Sequence, residues 1–186
     1  MRIELLALVL GGLLAQAGVV TAAAPSASGS IVINGKTVML TQGRAWKSGE
    51  SMGVPMLDIM LAEKSLAGLN WWKGTDNFAE GQRGVVLRLK PNNSPTDKRD
   101  QATFHYLFDE DYQVSLYAGD FRQWNEAALT KDDVAISDLS VTKGVVSGKL
   151  AWKGKLDNPY EETQNITAWT ATFSLPLEEV GPMPAN

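Results

Sequence analysis

Cysteine is absent from the sequence, and histidine occurs once. Without cysteine the chain has no disulfide framework and no lipidation site after a signal segment, so its core alone must hold the fold together. The single imidazole, that of His105, excludes every site that needs two histidines, and any Ser-His-Asp triad would have to use it.

The position of His105 argues against catalysis. In the segment QATFHYLF, polar and apolar residues alternate, so His105 lies on the polar face of a predicted strand, opposite Phe104 and Tyr106. That is the position of an ordinary solvent-facing sheet histidine. No serine lies in a G-x-S-x-G elbow either. We therefore predict no catalytic residue.

Motifs for metals and cofactors are missing as well. Acidic residues cluster at Asp109–Asp111, Asp132–Asp133 and Glu161–Glu162, but none of these stretches alternates oxygen ligands with a glycine as calcium loops do. Carboxylates are common at loop tips because they are solvated there. Phosphate-binding glycine motifs and dinucleotide fingerprints do not occur. We expect no metal and no cofactor.

The charge of the chain excludes one class of partner. The formal net charge is -4, and it is spread without long runs of one sign. Such a balance gives no electrostatic footprint for nucleic acid and little attraction to anionic membranes. We expect no nucleic-acid partner.

Long apolar runs are confined to the N-terminus. Arg2 provides a basic start, and Leu5–Leu14 is an almost uninterrupted apolar run, as in the h-region of a signal peptide. This run is too short to span a bilayer. Residues 1–24 are predicted to be a signal peptide, cleaved between residues 17 and 24. The mature protein would then be periplasmic or secreted, without a transmembrane segment.

About 160 residues remain after cleavage, which is enough for one domain with a hydrophobic core. Residues 25–29 are small and polar, and they are predicted to be a flexible lead. Residues 30–186 contain no internal repeat and no linker, so they are predicted to form a single β-rich domain.

The first hairpin is predicted from GSIVINGKTVMLTQG. Asn34-Gly35 lies between two β-prone runs, which is typical of a two-residue type I′ turn. Such a turn pairs Ile33 with Lys36 and Ile31 with Val38. The inward face would then carry four residues, which are Ile31, Ile33, Val38 and Leu40, and Val32, Thr37 and Met39 would face outward.

Further strands follow from alternation and from turn residues. VVLRLK turns Val85, Leu87 and Leu89 inward and ends at Pro91, and VPMLDIMLA is an apolar run without one clean period that predicts a buried strand. QATFHYLF and YQVSLYA are predicted to form a second hairpin. VAISDLSV and VVSGKLAWKG are predicted to form a third across residues 142–144.

The last long strand is predicted from TQNITAWTATFSLPL. Its odd positions are apolar and are expected to point to the core; they are Trp169, Ala171, Phe173 and Leu175. Its even positions are small or hydroxylic. AEKSLAGLNWW and WNEAALTKDDV could each form a short helix, with Ser65 and Asn125 as caps. The fold class is therefore all-β and mainly antiparallel, a β-sandwich or open barrel of roughly eight strands with one or two short helices.

The six tryptophans are many for this length. Strand alternation explains Trp152 and Trp169 as core residues. It does not explain the other four, which are Trp46, Trp71, Trp72 and Trp124.

The pair in GLNWWKGTDN suggests a binding site. Adjacent residues point in different directions on a strand or helix, so Trp71 and Trp72 cannot easily share one buried pocket. Trp71 extends the apolar spacing of Leu66 and Leu69, and we expect it to be the core member. An exposed indole could stack on a sugar ring or anchor a protein. The predicted ligand or partner site consists of Trp71, Trp72, Trp124, Asn70 and Asp76. In the alternative, one tryptophan closes an end of the sandwich and the other lies across a neighbouring strand.

These observations predict a non-enzymatic binding or interaction module of the bacterial cell envelope or exterior, with a protein or a glycan as its ligand. An exposed apolar patch or an open sheet edge would indicate a protein partner. Tryptophans that line one groove would indicate a glycan. The alternative is a glycoside-active enzyme, which needs two carboxylates at roughly 5 to 10 Å facing one cleft.

Overall fold

The computed structural model describes residues 24–51, 53–67, 81–92, 104, 107, 112–120, 125–129, 134–157 and 165–179. They form ten strands, which are β1 (Ser26–Ile33), β2 (Lys36–Leu40), β3 (Gln42–Ser51), β4 (Val54–Ala62), β5 (Arg83–Pro91), β6 (Tyr112–Asp120), β7 (Asn125–Leu129), β8 (Ala135–Thr142), β9 (Val145–Asp157) and β10 (Asn165–Glu178). No helix occurs among these residues.

The strands form two sheet regions that share β10. The first, sheet A, has the order β2-β1-β10-β9-β8, and the second, sheet B, runs β3-β4-β5-β6-β7. All pairs between described strands are antiparallel except one, in which the end of β10 pairs in parallel with β3 through Leu177 and Ala45. The predicted class, an all-β and mainly antiparallel open sandwich or barrel, is confirmed, with ten strands instead of about eight.

The first hairpin has the predicted register. Ile33 pairs with Lys36 and Ile31 pairs with Val38. The turn residues Asn34 and Gly35 have φ values of 51° and 72°, as a type I′ turn requires. The inward and outward faces also alternate as predicted, since Val38 and Leu40 are buried and Met39 is exposed.

The hairpin of β8 and β9 is built in the same way. Thr142 pairs with Val145 across Lys143 and Gly144, whose φ values are 52° and 74°. Both turns therefore use the left-handed backbone that asparagine and glycine adopt at low cost, although Lys143 does so as a less favoured residue.

The core lies between the inner faces of the two sheets. β10 supplies it with Trp169, Ala171, Phe173 and Leu175, as alternation predicts. Trp152 of β9 pairs with Trp169 and is buried beside it. The burial of both tryptophans confirms their predicted role.

β4 is buried on both of its faces, which explains why its sequence keeps no clean period. Leu57, Ile59 and Leu61 face the main core, whereas Met60 belongs to a second cluster on the opposite face of sheet B. This second cluster comprises Trp46, Met60, Ala62, Leu66 and Val86, with Tyr117 packed against it.

The predicted flexible lead is wrong for residues 26–29. These residues form the first half of β1 and pair with β10, from Ser26 opposite Ser174 to Gly29 opposite Ala171. Small polar residues suggested flexibility, but they fit here because β1 lies close against its neighbour. A Cβ added at Gly29 would lie 2.2 Å from the carbonyl oxygen of Thr170.

One predicted helix is wrong, and part of the other, residues 68–72 of AEKSLAGLNWW, lies outside the described residues. Asn125–Leu129 forms strand β7, which pairs with β6. Residues 63–67 form bends and a turn, in which the Ala67 amide donates to the Ser65 hydroxyl at 3.2 Å. Tertiary pairing thus overrides the helix propensity of Glu, Ala and Leu in β7.

The predicted second hairpin is wrong as well. Phe104 has a φ of 57°, and the Leu107 amide donates to the Phe104 carbonyl at 3.0 Å, so this part of QATFHYLF forms a turn. β6 pairs instead with β5 and β7. Both Phe104 and Leu107 are buried in the main core.

Candidate functional site

The outer face of sheet A carries rows of hydroxyl side chains. Because inward positions of β1 and β10 hold the core residues, the positions between them face outward. Across the strands, Ser28 lies opposite Thr172, and Ser30 lies opposite Thr170. Thr170 and Thr172 are exposed. Lys149 of β9 extends the first row, opposite Thr172.

These rows border a groove of about 460 Å³. Its lining comes from the centre of sheet A and consists of Ser28, Gly29, Ser30, Met39, Lys149, Leu150, Thr170, Ala171 and Thr172. The volume falls within the roughly 300–1,000 Å³ that is usual for small-ligand sites. We call this surface the hydroxyl groove.

Among the described residues that line the hydroxyl groove, Lys149 is the one cation. Lys149 donates a hydrogen bond to the carboxylate of Asp138 at 2.6 Å. That hydrogen bond, with the attraction of the same carboxylate, raises the pKa of Lys149 above its ordinary value. Lys149 therefore stays charged at neutral pH and beyond. An ammonium has three donors, so a ligand atom can bind beside Asp138.

One large apolar side chain lies at the other side of the groove. Met39 of β2 is 56% exposed. It is the only large hydrophobic side chain in the described part of the chain that is exposed. It pairs across the strands with Ser30. The hydroxyl groove therefore combines donors, acceptors, a positive charge and a flexible apolar contact.

A different polar group lies on the opposite side of the molecule. Asp58 of β4 is fully buried, and Arg88 of β5 donates to both of its oxygens at 2.9 and 2.8 Å. The Ser48 hydroxyl also donates to Asp58 at 2.8 Å. The register of β4 and β5 places Asp58 directly opposite Arg88. Since the carboxylate is paired and closed off from solvent, we assign this triad a structural role.

The tryptophan site predicted from the sequence is not placed by the structure. Trp71, Trp72, Trp124, Asn70 and Asp76 all lie outside the described residues. His105 and residues 1–23 of the predicted signal peptide do so as well. Trp46, which alternation left unexplained, is buried in the second cluster of sheet B.

It stays a prediction that Trp71 is buried in the core and that Trp72 is exposed. We expect Trp71→Ala to lower the free energy of unfolding by about 3 to 5 kcal/mol, because it would leave a cavity. Trp72→Ala should have a far smaller effect. Thermal melts of the two variants give the comparison, and equal large losses would mean that both indoles are buried.

The hydroxyl groove was not predicted from the sequence. One feature that contributes to it was noted there, the small and hydroxylic residues at the even positions of β10. Nothing in the sequence indicated that β1 would place Ser28 and Ser30 beside them, since these strands are far apart in the chain.

Among the described residues, no cluster of three or more acidic or histidine side chains is arranged to hold a metal ion. Within the same part of the chain, no helix has the length and apolar character needed to cross a membrane.

Comparison with known proteins finds no family model, no curated protein and no solved structure that matches this chain. Its function must therefore be inferred from its own geometry.

Proposed function

We propose that this protein is an exported, non-catalytic binding module of the bacterial cell envelope or exterior, and that the hydroxyl groove on sheet A binds a glycan. The observation that carries the proposal is the lining of the groove. Four hydroxyls, on Ser28, Ser30, Thr170 and Thr172, border one open surface together with Lys149.

The chemistry of this lining suits a sugar. Serine and threonine hydroxyls both donate and accept hydrogen bonds, as sugar hydroxyls do. The four hydroxyls belong to paired strands, so little conformational freedom is lost on binding. Met39 can cover the apolar face of a sugar ring, and Lys149 can bind an anionic substituent. Because none of the described residues that line the groove is aromatic, we expect modest affinity for one sugar unit.

The lining supports binding over hydrolysis. A glycosidase needs two carboxylates that face one cleft. Among the described residues that line the hydroxyl groove none is acidic, and the nearby Asp138 is paired with Lys149. The alternative function given above, a glycoside-active enzyme, therefore has no support at this surface.

A protein partner is the second candidate function. The observation that favours it is the edge of sheet A at β2. Among the described strands, β2 pairs with β1 alone, and the exposed Met39 lies on it. An open strand edge is a common place for another chain to add.

The location of the protein remains part of the proposal. It is supported by the basic start and the apolar run of residues 1–24. Sequencing the N-terminus of protein recovered from the periplasm or medium would test it, with a start between residues 18 and 25 expected.

Glycan binding can be tested with a double substitution. Thr170→Val with Thr172→Val removes two hydroxyls and keeps the shape and strand preference of both residues. We expect binding to envelope polysaccharide to weaken by roughly tenfold, as two lost hydrogen bonds imply. Affinity electrophoresis or a glycan array supplies the measurement.

The matched control is Thr37→Val, which removes an exposed hydroxyl from the same sheet outside the groove lining. It should bind like the unchanged protein. Equal binding by the double variant and the control would contradict the proposal, as would a lack of binding to any glycan.

A further inference from the structure

The two edges of sheet A differ in how well they can accept another strand. The β8 edge is interrupted by a bulge between Ser137 and Ser140, where Asp138 has a φ of 55°. Bulges and charges of this kind block edge pairing. The β2 edge keeps an unbroken register with β1, from Leu40 to Lys36. Of the two edges, β2 is therefore the one suited to strand addition.

The register of the hairpin shows which backbone groups of β2 point away from β1. In a two-residue hairpin the residues that flank the turn, Ile33 and Lys36, exchange backbone hydrogen bonds. Hydrogen-bonded and non-hydrogen-bonded pairs then alternate along the strands. Lys36, Val38 and Leu40 therefore bond toward β1. The N–H and C=O groups of Thr37 and Met39 point to the open side.

We propose that β2 pairs antiparallel with β2 of a second copy of this chain, about a two-fold axis at Val38. In this register Thr37 lies opposite Met39 of the second copy. By symmetry, Met39 lies opposite Thr37 of the second copy. All of the outward N–H and C=O groups of Thr37 and Met39 then form hydrogen bonds. A shift by one residue would place outward groups opposite inward ones and would lose these bonds.

The side chains of β2 also suit a second copy. Its one charged residue, Lys36, lies opposite Leu40 of the other copy, so no like charges meet. The exposed Met39 packs on one side against Thr37 of the other copy. Because the strand has only five residues, we expect a contact smaller than the roughly 1,200 Å² of a stable interface. The dimer is therefore weak and depends on concentration.

Pairing at β2 has a consequence that rests on the proposed function. The paired sheets present both hydroxyl grooves on one face, roughly 20 Å apart by strand spacing. A polymer with repeating units can then contact both grooves at once, which raises its apparent affinity.

A pair of substitutions at one position tests the dimer. Thr37→Pro and Thr37→Val both remove the hydroxyl, but only proline removes the outward N–H. Proline is tolerated on an edge strand where its N–H would face solvent, so the bonds to β1 remain. In sedimentation equilibrium of the mature protein, the unchanged protein and Thr37→Val should rise from monomer toward dimer mass with concentration. Thr37→Pro should stay monomeric.

Cross-linking tests the register without relying on proline. The chain has no cysteine of its own. When Thr37→Cys and Met39→Cys proteins are mixed and mildly oxidised, the disulfide between the two variants should form faster than the disulfide within either variant alone, because Thr37 faces Met39 across the axis.

The dimer is disproved if the unchanged protein remains a monomer at every concentration, or if the mixed disulfide has no advantage. Neither result bears on the hydroxyl groove, which is tested by the threonine variants of β10 on monomeric protein. Loss of glycan binding in those variants, with a monomeric protein throughout, would support the proposed function and overturn the dimer alone.

Discussion

Replacing Gly29 with alanine is expected to lower the free energy of unfolding by about 3 kcal/mol or more. An added Cβ would lie 2.2 Å from the carbonyl oxygen of Thr170 and 2.8 Å from the Cα and Cβ of Ala171. These are mostly backbone atoms of β10, which is paired on both sides and cannot move aside cheaply. The melting temperature should fall by roughly 10 °C, measured by circular dichroism.

Gly35→Ala is the matched control for this substitution. Gly35 has a φ of 72° but nothing within 4 Å of an added Cβ. It should therefore lose only about 1 kcal/mol, from backbone strain. Equal losses at the two glycines would show that β1 does not lie against β10 as closely as the structure has it.

The second large effect is expected at Asp58. Asp58→Ala removes the carboxylate that binds Arg88 and Ser48, and it leaves a guanidinium 26% exposed without its counter-charge. Removing one member of a buried ion pair typically costs about 3–5 kcal/mol. Because Arg88 keeps some contact with water, we expect about 3 kcal/mol, at the low end of that range, in denaturant unfolding.

A double substitution separates the two possible reasons for this loss. Asp58→Leu with Arg88→Met removes both charges and keeps the volume, so most of the stability should return. If the double variant is as unstable as Asp58→Ala, the network stabilises the fold through its specific hydrogen bonds, and an uncompensated charge is not the cause. Asp138→Ala, at the exposed pair with Lys149, should have a much smaller effect than either.

Local sequence predicted the parts of the fold whose signals are local. Asn34-Gly35 defined a turn, and the turn together with alternation defined the register of β1 and β2. The faces of β10 followed from its own alternation. In each case the residues that decide the structure are neighbours in the chain, so no knowledge of distant pairing was needed.

The errors arose where distant contacts decide the structure. Ser26–Gly29 looks flexible by composition, yet its pairing partner lies in β10, about 145 residues further along the chain by the register. Asn125–Leu129 contains good helix formers, yet it pairs with β6. Phe104 and Leu107 are apolar because they pack into the core from a turn.

The candidate site also depends on contacts between segments that are distant in the chain. No single segment predicts the hydroxyl groove, since its hydroxyls come from β1 and β10 and its cation from β9. The pairing of Asp58 with Arg88 also depends on the register of two strands, and an aspartate within VPMLDIMLA gave no hint of its partner.

The most direct test of the proposed function is a chemical-shift titration of the isotope-labelled mature protein with envelope polysaccharide. We expect the amides of Ser28, Ser30, Lys149, Thr170 and Thr172 to shift together and to saturate along one binding curve. Shifts confined to other surfaces, such as the segment around Trp71 and Trp72, or no shifts at any glycan concentration, would contradict the assignment of the hydroxyl groove as the binding site.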